Sequence, residues 1–94
     1  MAGEPEAVWV DPKQYQAVGT VLSGARERAG ITQQQLAKRL RKPQSFVSNV
    51  ERGQRRIDVL ELLVVIDALG GDPSRVFAEI AAAYFRSKPT RRRR

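Results

Sequence analysis

The sequence lacks cysteine and histidine altogether, and it contains one tryptophan among its 94 residues. Without cysteine or histidine there are no disulfides, no thiolate or imidazole metal sites, no cysteine nucleophiles and no histidine-dependent catalytic triads. No apolar run approaches the roughly 20 residues of a membrane span, and residues 1–11 do not have the pattern of a targeting signal. These absences predict a cytoplasmic protein that is not an enzyme, uses no metal or cofactor and does not enter a membrane.

Basic residues are plentiful and unevenly placed. There are 17 lysines and arginines against 10 aspartates and glutamates, which gives a net charge of +7. Residues 38–56 carry a net charge of +6, whereas residues 1–37 carry −1 and residues 57–85 carry −4; residues 86–94 carry +6 again. A basic segment between acidic neighbours favours a polyanionic partner, either nucleic acid or an anionic membrane surface.

The chain divides into three parts. We expect an N-terminal arm over residues 1–11, one small domain over residues 12–86 and a disordered basic tail over residues 87–94. The apolar fraction of 41% is sufficient for a globular core. The arginines at the end of the tail either bind phosphates without sequence preference or form an arm in a minor groove, and both interpretations stay open.

Capping signals and apolar spacing predict five short helices and no strands. Asp11 followed by Pro12 starts the first helix, whose apolar residues recur at three- and four-residue spacing until Gly30. Two glycines inside this helix, Gly19 and Gly24, either weaken it or allow another helix to approach closely.

The fourth and fifth helices are predicted from two further start signals. Asp58 and Glu61 form a capping box before residues 59–69, which are apolar almost all round and are therefore expected to be the central buried helix. Asp72 followed by Pro73 starts the last helix. The predicted fold class is all-α, a compact bundle of about five short helices.

The second and third helices carry the functional signal. Thr32 and Gln35 make a capping box before residues 33–40, and the third helix covers about residues 44–52. Only about three residues separate the two helices, so their axes must cross steeply, as in a helix-turn-helix. The third helix has a polar face of short hydrogen-bonding side chains, which suit the reading of base edges in a major groove. The predicted base-reading residues are Gln44, Ser45, Ser48 and Asn49.

A wider pattern surrounds these helices, carried by Thr32, Gln33, Leu36, Ala37, Leu40, Ser48, Val50, Glu51, Arg52 and Gly53. With this pattern, residues 26–69 resemble the Cro and phage-repressor family of helix-turn-helix proteins, also called the xenobiotic-response-element class. The resemblance implies a lambda-repressor-like DNA-binding domain in which Arg26 and Glu51 form a partly buried ion pair between the first and third helices. It also implies contacts to the DNA backbone by Thr32, Gln33, Lys42, Arg52, Gln54, Arg55 and Arg56.

Three positions in the turn depart from that family's pattern. Arg41 stands where relatives usually have glycine, so a left-handed backbone at this position would cost about 1 kcal/mol. Lys42 replaces a usually apolar residue, and Pro43 replaces the usual serine or threonine cap. The two cations add positive charge beside the groove.

Two half-sites must be read together, so the resemblance also implies a homodimer. The candidates for the dimer surface are Phe77, Ile80, Tyr84, Phe85 and Trp9. An alternative stays open for each group: Tyr84 and Phe85 could instead close the core, and Trp9 could instead pack over it.

The leading hypothesis is a sequence-specific regulator of transcription that binds double-stranded DNA, as a homodimeric repressor on a palindromic operator. No domain for a small-molecule ligand is evident. One alternative is an interaction module, such as an antitoxin, that binds its own operator together with a protein partner. A second alternative is an adaptor whose basic face contacts RNA phosphates.

Overall fold

Five α-helices account for most of residues 9–87, the part of the chain that the structure, a computed structural model, describes. They are α1 (Pro12–Arg28), α2 (Gln33–Leu40), α3 (Gln44–Glu51), α4 (Val59–Ala68) and α5 (Pro73–Ser87). This part of the chain contains no strand, so the predicted all-α fold is confirmed. No helix in it has the length and apolar character needed to cross a membrane. Most of the predicted arm, residues 1–8, and all but the first residue of the predicted tail lie outside the described residues.

Local capping sets where three of the helices begin. Both halves of a capping box form at the starts of α1, α2 and α4. At α2, the main-chain N–H of Gln35 donates to Thr32 Oγ1 over 3.0 Å, and the N–H of Thr32 donates to Gln35 Oε1 over 2.9 Å. Each box satisfies main-chain donors that the helix itself leaves without partners. The helix starts predicted from these signals are confirmed.

The hydrophobic core lies where the five helices pack against one another. α1 packs against α5 and α3, while α2 packs against α3 and α4. The most deeply buried side chains are Leu22 of α1 and Ile66 of α4. Val47 and Val50 on the inner face of α3 are also buried in this core. α3 is therefore anchored from two sides, by α1 and by α2.

α4 is not the fully buried helix that its composition predicts. Leu62, Val65 and Ile66 are buried, but Leu60 on the other face is 72% exposed. Leu60 belongs to an exposed row that we call the α4 stripe, made of Val59, Leu60, Leu63 and Val64. Within residues 9–87, α2 and α5 are the helices that pack closely on α4, and they leave this side open. The prediction was wrong because an apolar composition does not determine how many neighbours cover a helix.

Gly19 lets α1 approach the carboxyl end of α3. A Cβ atom at this position would lie 2.2 Å from the main-chain oxygen of Glu51, which is far inside van der Waals contact. At Gly24 the nearest atom to such a Cβ is Arg28 Nη1, 3.6 Å away, which is ordinary contact. Of the two roles considered for these glycines, close helix approach therefore applies to Gly19 alone.

Candidate nucleic-acid interface

The turn between α2 and α3 contains a strained residue. Arg41 has φ 58° and ψ 43°, the left-handed conformation for which glycine is the usual choice. The strain of about 1 kcal/mol expected for an arginine in this conformation is therefore present. The next N–H, of Lys42, donates to the main-chain oxygen of Ala37 over 3.0 Å and closes α2. Pro43 then precedes α3 with φ −65° and no side-chain cap, as its ring predicts.

The four predicted base readers share one face of α3. Their positions, 44, 45, 48 and 49, repeat at the spacing that places helical residues side by side. Gln44 and Ser45 are exposed, whereas Ser48 and Asn49 are half-buried. Asn49 Oδ1 accepts a hydrogen bond of 2.8 Å from Arg52 Nη2, which orients the amide. The structure thus brings the predicted readers together opposite the apolar face that anchors the helix.

Arg26 and Glu51 lie side by side beneath this face. Arg26 Nε donates to Glu51 Oε2 over 2.7 Å, and Nη2 donates to Oε1 over 3.2 Å. The side chains are 11% and 8% exposed, respectively. Arg26 Nη1 also donates to the main-chain oxygen of Ile31 over 2.7 Å. The hydrogen bonds to Glu51 raise the pKa of Arg26, so the guanidinium keeps its charge, and the pair joins α1 to α3.

Gln33 connects this ion pair to Gln44, the first of the predicted base readers. Its Nε2 donates to Glu51 Oε1 over 2.9 Å, and its Oε1 accepts a hydrogen bond of 3.3 Å from Gln44 Nε2. Gln33, predicted to contact the DNA backbone, is half-buried and holds Gln44 through its side chain. Its main-chain N–H still lies in the first turn of α2, where helix N–H groups favour an anion.

The loop between α3 and α4 folds back onto the carboxyl end of α3. The main-chain N–H groups of Gln54 and Arg55 both donate to the carbonyl oxygen of Asn49, over 2.8 and 3.2 Å. Gln54 and Arg56 are exposed. The Arg56 guanidinium lies 5.4 Å from the centre of the Tyr15 ring, within the range of a cation–π contact. The loop therefore presents its side chains beside the proposed reading face.

Arg55 is the loop cation with a carboxylate partner. Its Nη1 and Nη2 donate to the two carboxylate oxygens of Glu61 over 3.1 and 3.2 Å. Its guanidinium also lies 4.7 Å from the centre of the Phe46 ring. Hydrogen bonds from Arg55 and from the main-chain N–H of Asp58 lower the pKa of Glu61, while Glu61 raises the pKa of Arg55.

Thr32 and Lys42, the other residues predicted to contact the DNA backbone, lie outside the loop. The Thr32 hydroxyl is engaged as the α2 cap, as its hydrogen bond from Gln35 shows. Lys42 is exposed in the turn, with Nζ 5.4 Å from the centre of the Phe46 ring. Sequence reasoning missed the contacts of Phe46 and Glu61 with Arg55. The apolar Phe46 was explained by packing in the core, and Glu61 was explained by its capping box, so neither residue indicated such a contact. A basic loop that follows α3 and precedes an acidic capping residue is the signal that could have indicated the pairing.

The dimer candidates on α5 lie together. They line an apolar groove of about 420 Å³ between α5 and α1, made with Tyr15 and Val18 of α1. The α5 residues in it are Phe77, Ile80, Tyr84 and Phe85. Trp9 is 77% exposed and does not line the groove, so the alternative that it packs over the core is wrong. Tyr84 and Phe85 contact each other edge to face, with ring centres 4.9 Å apart.

The sequence model of a helix-turn-helix family matches residues 22–76. An XRE-family-like protein from Pseudomonas syringae pv. tomato is 44% identical over 74% of this chain and 85% of its own, with a TM-score of 0.66. The chain belongs to the XRE helix-turn-helix family. As an XRE-family protein it is a DNA-binding regulator of transcription, and proteins of this family are generally not enzymes.

The XRE-family chain is also similar to solved structures of two other proteins. The clp gene regulator ClgR from Corynebacterium glutamicum is 30% identical over 74% of this chain and 91% of its own, with a TM-score of 0.69. The restriction-modification controller protein C.Esp1396I is 21% identical over 80% of this chain and 95% of its own, with a TM-score of 0.70. At that identity the likeness shows the fold alone. None of the curated proteins matches the chain.

Proposed function

We propose that this XRE-family protein is a homodimeric repressor that reads a palindromic operator in double-stranded DNA. In this proposal α3 lies in the major groove and its polar residues contact base edges. The observation that carries the proposal is the chain of hydrogen bonds from buried Glu51 through Gln33 to Gln44. It orients the first base reader before DNA binds, so that less side-chain entropy is lost on binding.

Exposed cations beside α3 support contact with phosphates. Lys42, Arg52 and Arg56 are exposed, and none of them pairs with a carboxylate within residues 9–87. They lie in the turn before α3 and in the loop after it, so they border both ends of the reading helix. Cations in these positions fix the orientation of a protein on the duplex, while the helix between them reads the sequence.

The apolar groove between α1 and α5 supports a second copy as partner. Phe77 is 57% exposed at its edge, and burying such an aromatic side chain favours association. Two half-sites about 34 Å apart then face two copies of α3. A dimer of that span on a promoter excludes RNA polymerase sterically, which is why we propose repression. The name of ClgR, a gene regulator, is consistent with a regulatory role.

The DNA-reading step is tested with a duplex that the wild-type protein selects from a randomised library. Fluorescence anisotropy at about 150 mM salt should show a preference of about 10³-fold or more over a shuffled duplex. Replacing both Gln44→Ala and Asn49→Ala should reduce this preference by about 30-fold or more, because two base contacts are lost. Circular dichroism should show unchanged helix content. Equal affinity of the wild type for both duplexes would contradict sequence-specific reading.

Repression is tested with a reporter promoter that overlaps the selected duplex. Supplying the protein should lower expression, and the double variant at positions 44 and 49 should not. Increased expression would show an activator instead.

The dimer is tested by light scattering. The wild type should have twice the chain mass of 10.5 kDa, and Phe77→Ser should be monomeric at the same concentration. Leu60→Ser in the α4 stripe is the matched control and should remain dimeric. If Leu60→Ser separates the dimer and Phe77→Ser does not, the α4 stripe is the interface and our assignment is wrong.

A further inference from the structure

Arg55 differs from the exposed cations Lys42, Arg52 and Arg56 because a carboxylate already pairs with its charge. Both η nitrogens donate to the carboxylate of Glu61, and the guanidinium lies over the Phe46 ring. We call Arg55, Glu61 and Phe46 the loop clamp. Phe46 belongs to α3 and Glu61 to the first turn of α4, so the clamp ties the intervening loop to both helices.

The loop clamp occupies one of the two edges through which an arginine guanidinium binds phosphate, the edge formed by Nη1 and Nη2. An arginine grips an anion with two parallel N–H groups, and here two such groups point to Glu61. Arg55 Nη1 also donates to the main-chain oxygen of Arg56. To contact a phosphate through this same pair of N–H groups, the side chain would have to leave the Glu61 carboxylate.

The clamp holds the segment that carries the exposed backbone-contact candidates. Gln54 precedes Arg55 and Arg56 follows it, so fixing Arg55 restricts where both neighbours lie. The N–H groups of Gln54 and Arg55 are attached to the Asn49 carbonyl on α3. Side-chain and main-chain contacts thus set the position of this loop relative to the predicted base readers.

We propose that Arg55 is a positioning residue for DNA binding and does not contact phosphate. The proposal rests on the proposed function and replaces the role in backbone contact that the family resemblance implies for Arg55. In it, the loop clamp sets the register in which Gln54 and Arg56 meet the DNA backbone while α3 lies in the groove. One consequence is unusual: Glu61, a carboxylate, increases affinity for a polyanion. If Arg55 bound phosphate through its Nη1–Nη2 edge, the opposite would hold, because Glu61 would then compete with DNA for that edge. A phosphate contact through the Nε edge would instead reduce the salt dependence of binding in Arg55→Gln.

The sign of the Glu61→Gln effect tests this proposal. Glutamine keeps the capping-box hydrogen bond to the Asp58 N–H but removes the charge that holds Arg55. On the duplex selected by the wild type, Glu61→Gln should bind about two- to five-fold more weakly at every salt concentration from 50 to 300 mM. Tighter binding or unchanged binding by this variant would overturn the proposal.

Substitutions at positions 55 and 56 separate positioning from phosphate contact. Arg56→Gln, the matched control, should lower the slope of log K against log salt by about 0.9 per protomer. Arg55→Gln should weaken binding with the slope unchanged. Arg55→Lys keeps the charge but loses the bidentate geometry, so it should bind as weakly as Arg55→Gln. Restored binding in Arg55→Lys, or a slope reduced in Arg55→Gln, would assign Arg55 to phosphate.

Hydrogen exchange of the free protein reports on the clamp without DNA. The amides of Gln54 and Arg55 should exchange faster in Arg55→Gln and in Glu61→Gln, with the helix amides unchanged. Unchanged exchange at these two amides would show that the clamp does not hold the loop, and would overturn the proposal. Failure of the proposed function is recognised separately, because the wild type alone would then bind the selected and shuffled duplexes equally.

Discussion

Among individual residues, Glu51 has the largest share in organising the proposed interface. Its carboxylate accepts hydrogen bonds from Arg26 on α1 and from Gln33 on α2, while Glu51 itself ends α3. The Glu51 side chain therefore joins α1, α2 and α3 at the carboxyl end of α3. Since the carboxylate is almost fully buried, bulk water cannot replace it as the hydrogen-bond acceptor of Arg26 and Gln33.

Glu51→Gln should destabilise the protein by about 2–3 kcal/mol. The change leaves the mostly buried guanidinium of Arg26 without its counter-charge, which is costly in a site of low polarity. Urea denaturation followed by circular dichroism measures the difference. Glu27→Gln, at an exposed position on α1, is the control and should change stability by less than about 0.5 kcal/mol. Similar effects of the two substitutions would show that the buried pair adds little.

Between elements, the contact of α1 with α3 depends on one missing side chain. Gly19→Ala should destabilise the protein by about 1–3 kcal/mol, because its methyl group would overlap the Glu51 main chain. Gly24→Ala makes the same exchange on the same helix with room available, so it should stabilise by up to about 1 kcal/mol. Thermal or urea denaturation of the two variants provides the comparison. A stabilising Gly19→Ala would mean that the helices separate easily.

The link between the loop and α4 should depend on pH in a defined direction. Hydrogen bonds from Arg55 and from the Asp58 N–H lower the pKa of Glu61 in the folded protein, so the folded state favours the ionised carboxylate. Its contribution to stability is therefore complete above the unfolded pKa of about 4.3, and is lost as pH falls through the lower folded value. The stability difference between wild type and Glu61→Gln should be constant from about pH 6 to 8 and should shrink below about pH 4. A difference that persists at low pH would exclude the ion pair as its cause.

Features set by neighbouring residues can be predicted from the sequence, whereas features set by residues distant in the chain cannot. The starts of α2 and α4 are predictable because both halves of each capping box lie within four residues. The open side of α4 is not predictable in this way, since burial depends on helices that are distant in sequence. Arg55 shows the same limit within the site: the family resemblance implies a phosphate contact for it, but its contacts with Glu61 and Phe46 are seen only in three dimensions.

Over the whole molecule, the distribution of charge predicts how steeply binding depends on salt. In the proposed dimer, with Arg55 held by Glu61, each protomer would offer Lys42, Arg52 and Arg56 to phosphates, so we expect about six phosphates to be neutralised. The dissociation constant for the selected duplex should then rise about 10³-fold between 50 and 200 mM salt. Anisotropy titrations over this range measure it. A flat dependence would contradict the assignment of these cations to the DNA backbone.

The cations that follow Ser87 should act on affinity and not on sequence preference. Residues 88–94 contain Lys88 and four arginines but no acidic residue, so they add attraction to any duplex regardless of its bases. A variant that ends at Ser87 should therefore bind the shuffled duplex more weakly, while the ratio of its affinities for the selected and shuffled duplexes stays close to that of the wild type. Titration of both duplexes with wild type and variant at about 150 mM salt measures this ratio. Loss of the ratio would mean that these residues read sequence themselves, and α3 would then account for only part of the recognition.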